Sequence, residues 1–137
     1  MTNPAPASSG KVVFVGAGPG APDLITLRGA RTIAAADIII WASSLVNAEI
    51  VADHKPDALL VDSASASLED ITPLYERARD EGLLVARVHT GDPAIYGATA
   101  EQRELCRRIG LACAPPAPPS LALPASDRLV WPPVMVR

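Results

Sequence analysis

Two stretches of this 137-residue chain carry residue types whose spacing could do chemistry. Gly16-Ala17-Gly18-Pro19-Gly20 follows a short β-branched run, a position where glycines let the backbone take positive φ and approach a ligand closely. His89-Thr90-Gly91-Asp92-Pro93-Ala94-Ile95-Tyr96-Gly97-Ala98 places Asp-Pro after a glycine, which makes a rigid turn with free backbone N–H and C=O groups. Each has a plainer reading: a tight turn without a ligand for the glycines, and turn formation alone for Asp92. His89 reads as a strand-end histidine rather than a metal ligand, since no second ligand lies at metal spacing.

With Ala21, the glycine loop satisfies a loose dinucleotide-binding pattern, so an NAD(P)-dependent oxidoreductase is one reading. Two features count against it. Pro19 and Pro22 bracket a loop that continues to Thr26, displacing the helix start from the glycines. A dinucleotide fold also wants an acid at the end of the second strand, where this chain offers Trp41, Ala42, Ser43 and Ser44, while Asp37 lies at the wrong end. No paired carboxylates and no Cys–His or Ser–His arrangement suggest acid–base or nucleophilic catalysis.

The elements that must position these loops follow from periodicity. Lys11 to Val15 reads as a strand buried on both faces, and Leu27 to Ala36 as a helix with Thr26 as N-cap. Ile38 to Trp41 is a second strand, a short helix is expected around Leu45 to Ala52, and Leu59 to Val61 is a third strand. Ser67 and Asp70 form a capping-box-like start for a helix carrying Ile71, Leu74, Tyr75 and Ala78, although Pro73 allows a later start with Thr72 as cap. Leu83 to Val88 is a fourth strand, and Thr99 with Gln102 reads as a capping box for a helix ending at Gly110. Alternating strands and helices predict an α/β fold with a mainly parallel open sheet. Ligands on such sheets bind outside the carboxyl ends of the strands, and every Gly- or hydroxyl-rich loop here falls at those ends.

Forty-nine per cent of residues are hydrophobic, which gives one domain a core, while a formal net charge of −3 argues for no nucleic-acid partner. Cys106 and Cys113 are too few for a disulfide framework or a zinc site. No apolar run reaches the ~20 residues of a membrane span and the first ten residues are not a signal peptide, so a cytoplasmic location is expected. Residues 1–10 read as a disordered lead-in, 11–112 as the domain, and 113–137 as a Pro-rich tail, disordered or non-native. Seven of the fourteen prolines fall in residues 115–133, where a fifth strand is due and where proline cannot donate to a ladder. A truncation or reading-frame slip near Ala112 would explain that change.

The stretch VVFVGAGPGAPDLITLRGARTIAAADIIIWASSLV resembles the opening of the tetrapyrrole (corrin/porphyrin) methylase family, and VARVHTGDPAIYGATAEQ resembles its second signature. The likeness covers roughly residues 11–112, and the Ala-Ser-Ser-Leu-Val run, LVDSASASLEDI and TGDPAIYGA are most similar to members that methylate carbon 11 of precorrin-4. It implies the N-terminal domain of a two-domain enzyme, with the C-terminal domain missing, and S-adenosyl-L-methionine as cofactor in the interdomain cleft. It carries Pro19, Thr90, Gly91, Asp92 and Ile95 onto cofactor contacts, and Ser43 and Ser44 are expected on the substrate side. A tetrapyrrole substrate in cobalamin biosynthesis and a homodimer of the intact protein are implied as well. The chain itself is expected to be a truncated and inactive form of that enzyme; a methylase for another ring position, or a non-catalytic fragment, is the alternative within the same resemblance. The substrate's carboxylates need cationic partners, for which Arg28, Arg31 and Arg87 are candidates. Ala21 stands where the family often has an acid, and the family's Val-Pro-Gly-Val-like run is absent.

Overall fold

The computed structural model describes residues 10–91 and 99–114. Five strands, β1 (Lys11–Gly16), β2 (Ile38–Trp41), β3 (Leu59–Asp62), β4 (Leu84–His89) and β5 (Ala112–Ala114), form one sheet in the order β3-β2-β4-β1-β5. Every pairing is parallel, as expected for a sheet whose strands are joined by helices. The helices are α1 (Leu27–Ala35), α2 (Leu68–Glu81) and α3 (Thr99–Ile109).

The connection from β1 runs to one side of the sheet order, and those leaving β3 and β4 run to the other. Right-handed crossovers of opposite direction lie on opposite faces, and the core divides accordingly. Val12, Phe14, Ile38, Ile40 and Val85 pack with Ile71, Tyr75 and Ala78 of α2 and Leu105 and Cys106 of α3. Val15, Ile39, Ala86 and Val88 pack with Ile33 of α1 and with Val46, Ile50 and Val51. Period-two alternation along each strand thus feeds two apolar layers. The direction of crossover reverses between the direct neighbours β1 and β4, so a topological switch point lies between them, as one does between β2 and each of its neighbours.

The local signals explain most boundaries. The Thr26 hydroxyl accepts from the Gly29 N–H at 3.0 Å and starts α1. Ser67 and Asp70 form a reciprocal capping box, so α2 begins at Leu68 and Pro73 sits inside it on the exposed side, where solvent can take up the Glu69 carbonyl. Gly82, at φ 69°, ends α2, and the Leu83 N–H donates to the Ala78 carbonyl, so Leu83 belongs to the helix stop rather than to β4.

Three expectations are corrected. The helix expected around Leu45 to Ala52 is a turn at Ala42–Val46 followed by a single 3₁₀ segment, Ala48–Val51. Asn47 accepts from the Glu49 N–H at 3.0 Å, a local bond that competes with helix propagation. Thr99 is not the residue before the helix but already lies in α3, and the Gln102 side-chain oxygen, expected in a capping box, is buried and accepts from Tyr75 and Arg87. A fifth strand does form, in the proline-free Ala112–Ala114 just before the Pro-rich stretch, pairing with Lys11–Val13 of β1. The Pro-rich residues 115–137 and the lead-in 1–9 lie outside the described residues.

Candidate functional site

The carboxyl ends of β1 and β4 are joined beyond the sheet. The Ala17 N–H donates to the His89 carbonyl at 2.7 Å, and the Gly91 N–H donates to the Gly18 carbonyl at 3.1 Å, an antiparallel bridge across the switch point. Gly18 takes φ 77° and Gly91 φ 61°, conformations that glycine adopts at no steric cost. A Cβ at Gly18 would meet the Leu24 carbonyl oxygen at 2.8 Å, so the loop's return packs on that glycine. At Gly20 and Gly91 a Cβ would meet nothing within 4 Å among the described residues, which leaves backbone at the rim that a ligand can approach.

The bridge brings three of the expected cofactor residues together. Pro19 is exposed directly after Gly18, and Gly91, which follows Thr90 at the end of β4, pairs with Gly18. Asp92 and Ile95 lie outside the described residues. Asp37 lies at the amino end of β2, as expected, where it accepts from the Leu84 N–H at 2.9 Å and pairs with Lys55. There it serves strand alignment, and the Lys55 ammonium and the Leu84 N–H together hold its carboxyl below the usual range despite burial.

Beside the bridge, a cavity of about 240 Å³ opens across the ends of β2, β3 and β4, with Ser44, Ser63, Ala64, Arg87, His89 and Thr90 in its wall. Ser44 therefore faces the cavity. Ser43 turns aside: its N–H donates to Asp62 Oδ1 at 3.1 Å and its hydroxyl to Asp62 Oδ2. The same carboxylate accepts from the Ala64 N–H at 2.9 Å, so Asp62 staples the two hydroxyl-bearing turns together, and these bonds lower its pKa. Arg28 and Arg31 lie exposed on α1, away from this cavity; Arg87 alone of the three arginines lines it.

Arg87 is only 9% exposed, in the central strand of the sheet. Its Nε donates to Gln102 Oε1 at 3.1 Å and its Nη1 to the Ser63 hydroxyl at 3.0 Å and the Ile40 carbonyl at 3.3 Å. Gln102 Oε1 also accepts the Tyr75 hydroxyl at 2.8 Å. Burial lowers the Arg87 pKa and raises that of the Tyr75 phenol. His89 packs against Phe14 with ring centroids 5.8 Å apart, and its Nε2 is buried with no hydrogen-bond partner among the described residues. Burial, helped by the nearby Arg87 charge, pushes its pKa down to about 4, so the ring is neutral at pH 7. Gln102, Tyr75 and Asp62 were missed from sequence as parts of the site; a polar residue on the apolar stripe of α3 was the available signal for Gln102.

Residues 11–137 match the family of Tetrapyrrole (Corrin/Porphyrin) Methylases. A cobalt-precorrin-4 C(11)-methyltransferase of Methanocaldococcus jannaschii is 46% identical over 101 residues, 74% of this chain and 39% of that protein. A precorrin-4 C(11)-methyltransferase of Pseudomonas aeruginosa is 45% identical over 100 residues, 73% of this chain and 40% of that protein. The X-ray structure of a cobalamin biosynthetic enzyme, cobalt precorrin-4 methyltransferase, superposes with a TM-score of 0.72 at 42% identity, covering 76% of this chain and 44% of that one. Uroporphyrin-III C-methyl transferase from Thermus thermophilus, solved with S-adenyl homocysteine, superposes at 0.62 with 28% identity, covering 77% of this chain and 43% of that one. The chain thus spans about 40% of the length of the curated relatives it matches. With both signature loops meeting at the switch point of a parallel sheet, this chain belongs to the tetrapyrrole (corrin/porphyrin) methylase family.

Proposed function

We propose that this chain supplies the N-terminal domain of an S-adenosyl-L-methionine-dependent methyltransferase that acts on carbon 11 of precorrin-4 in cobalamin biosynthesis. The observation that carries the reading is the Gly18–Gly91 bridge, which unites the two signature loops at the carboxyl ends of neighbouring strands whose crossovers run in opposite directions, where an open α/β sheet offers a crevice. The named activity of the M. jannaschii and P. aeruginosa relatives supports the choice of ring position.

The open backbone at Gly20 and Gly91 fits a cofactor lying along the rim, and Pro19, Thr90 and Gly91, with Asp92 and Ile95, are proposed as its contacts. When bound, the cofactor supplies an activated sulfonium methyl, which passes to a macrocycle carbon while the C–S bond electrons return to sulfur. The protein's own part is placement. The bridge holds the two loops at fixed separation, and the hydroxyls of Ser44, Ser63 and Thr90 line the adjoining cavity. The neutral His89 ring adds no positive charge beside a cation. Ser43 is assigned to holding the turn through Asp62 rather than to touching substrate.

The domain is taken to run from residue 11 through β5, with the Pro-rich remainder as a separate tail. A cytoplasmic location and a homodimer of the intact protein belong to the same reading; among the described residues no helix is long and apolar enough to cross a membrane. The test is NMR titration of the chain with S-adenosylhomocysteine, which should perturb the amides of Gly18, Gly20, Thr90 and Gly91. Perturbation of those amides by NADH in its place would overturn the reading in favour of an oxidoreductase.

A further inference from the structure

Burying a guanidinium in the middle of a parallel sheet is costly unless an anion accompanies it. Arg87 stands opposite Phe14 of β1 and Ile40 of β2, at the centre of the sheet, and carries a full charge at any physiological pH. Every partner it has among the described residues is neutral: the Gln102 amide, the Ser63 hydroxyl and the Ile40 carbonyl. Tyr75, the next member of the network, has its phenol held protonated by burial and spends its proton on Gln102. Asp62, the acid at the end of β3, is committed to Ser43 and Ala64. No carboxylate among the described residues forms an ion pair with Arg87.

The sheet therefore delivers into the wall of the 240 Å³ cavity, beside the Ser44, Ser63 and Thr90 side chains, a positive charge that no acid among the described residues neutralises. Gln102 is the residue that keeps it so. Its position on α3, within 3.1 Å of the guanidinium, is where a glutamate would neutralise the charge, yet the chain places an amide there. A cavity of this volume is below the ~300–1,000 Å³ that encloses a whole drug-sized ligand, so it suits one arm of a larger molecule rather than a macrocycle. It also opens beyond β2, β3 and β4, to one side of the glycine bridge where the cofactor is placed.

We propose that Arg87 is a substrate-binding residue that takes one carboxylate arm, an acetate or propionate, of the tetrapyrrole, and that Gln102 and Tyr75 position its guanidinium while leaving it unneutralised. The assignment rests on the methylase reading above and adds to it the group that selects an acidic side arm. The carboxylate replaces water at the guanidinium edge that faces the cavity, with the neighbouring hydroxyls donating to its second oxygen. Such charge-assisted bonds are the strong ones available to a site of this kind.

The test uses the 137-residue chain with uroporphyrin III, whose arms are acetates and propionates, and reads binding by fluorescence. A porphyrin with cationic N-methylpyridinium arms, inorganic phosphate and S-adenosylhomocysteine are run in parallel. Two variants are compared with the parent: Gln102→Glu, which supplies an internal carboxylate, and Arg87→Met, which removes the charge while keeping bulk. The expected result is that uroporphyrin III binds the parent in a salt-sensitive way and that both variants bind it at least tenfold more weakly. Both should keep the parent's thermal stability or exceed it, because each relieves a buried charge that no acid among the described residues pairs. S-adenosylhomocysteine binding should be the same in all three proteins. Equal uroporphyrin affinity in parent and Gln102→Glu overturns the assignment while leaving the methylase reading intact. Loss of S-adenosylhomocysteine rather than uroporphyrin binding moves the carboxylate to the cofactor and overturns it too. Binding of phosphate or of the cationic porphyrin in preference to uroporphyrin III overturns it as well. Failure of the parent to bind either uroporphyrin III or S-adenosylhomocysteine overturns both.

Discussion

The Gly91 N–H reaches the Gly18 carbonyl at 3.1 Å, and both glycines sit at positive φ, so two loops 73 positions apart in the chain are fastened at a point where neither can carry a side chain without strain. The two positions differ in what surrounds them, and that difference orders their tolerance to substitution.

Gly18→Ala combines a left-handed backbone with a Cβ 2.8 Å from the Leu24 carbonyl oxygen. Gly91→Ala has the backbone term alone, since nothing among the described residues lies within 4 Å of its would-be Cβ. Gly91→Ala is expected to lose about 1 kcal/mol and Gly18→Ala about 2–3 kcal/mol of unfolding free energy in urea titrations. Equal losses would mean that the Leu24 segment yields freely and does not define the loop.

The polar network on α3 makes an asymmetric prediction. Tyr75→Phe removes one donor and leaves Gln102 Oε1 still engaged with Arg87, so the loss should be near ~1 kcal/mol. Gln102→Leu strands both a buried phenol and a guanidinium, and is expected to lose ~3 kcal/mol or more. The double variant should be less destabilised than the sum of the singles, since both act on one oxygen; additivity within ~0.3 kcal/mol in a denaturation cycle would show that the two bonds are independent.

How far this architecture was legible depended on whether a residue's role was set by its chain neighbours or by distant ones. Thr26 caps Gly29 three residues on, and Ser67 with Asp70 closes a capping box in the same span, so both helix starts follow from local spacing. The glycine loops announce their positive φ by residue type alone. Gln102 has capping-box spacing from Thr99, yet its partners Tyr75 and Arg87 lie 27 and 15 residues away and outweigh it, because a buried guanidinium needs an acceptor more than a helix end does. β5 escaped notice for a related reason: Ala-Cys-Ala has no alternation to read, and it becomes a strand because the free edge of β1 accepts it in register from Lys11 to Val13. Ser43 and Ser44 could be placed at the end of β2 from sequence, but not told apart, since Asp62, the partner that turns Ser43 aside, is 19 residues on.

His89 gives the fold a pH dependence whose sign can be worked out. Its folded pKa, about 4, lies below the unfolded 6.5, so protons bind the unfolded chain preferentially between those values. The stability contributed by the neutral ring is complete above about pH 6.5 and is lost as the pH falls towards 4. His89→Phe keeps a ring against Phe14 and removes the titration. Between pH 7 and pH 4.5 the parent is expected to lose on the order of 2 kcal/mol more than this variant, a figure reduced for partial exposure of the ring. Parallel pH profiles of the two proteins would show that the imidazole is solvated and titrates normally.

Asp62 is expected to act on the site through geometry rather than through stability. It is exposed at the end of β3, so its removal should shift the unfolding midpoint little, yet its two oxygens hold the Ser43 N–H, the Ser43 hydroxyl and the Ala64 N–H. Those bonds fix the turns that carry Ser44 and Ser63 into the cavity wall beside Arg87. Asp62→Ala should therefore raise amide exchange at Ser43 and Ala64 and weaken uroporphyrin III binding severalfold, with S-adenosylhomocysteine binding unchanged because the Gly18–Gly91 bridge does not depend on it. Asp62→Asn, which keeps one acceptor oxygen, should fall between parent and alanine in both measurements. Below the lowered pKa of Asp62 the parent should come to resemble the asparagine variant, since protonation turns one of its acceptors into a donor. Faster exchange at Ser43 and Ala64 in Asp62→Ala with undiminished uroporphyrin affinity would separate the turn from the substrate side and leave Ser44 without a role there.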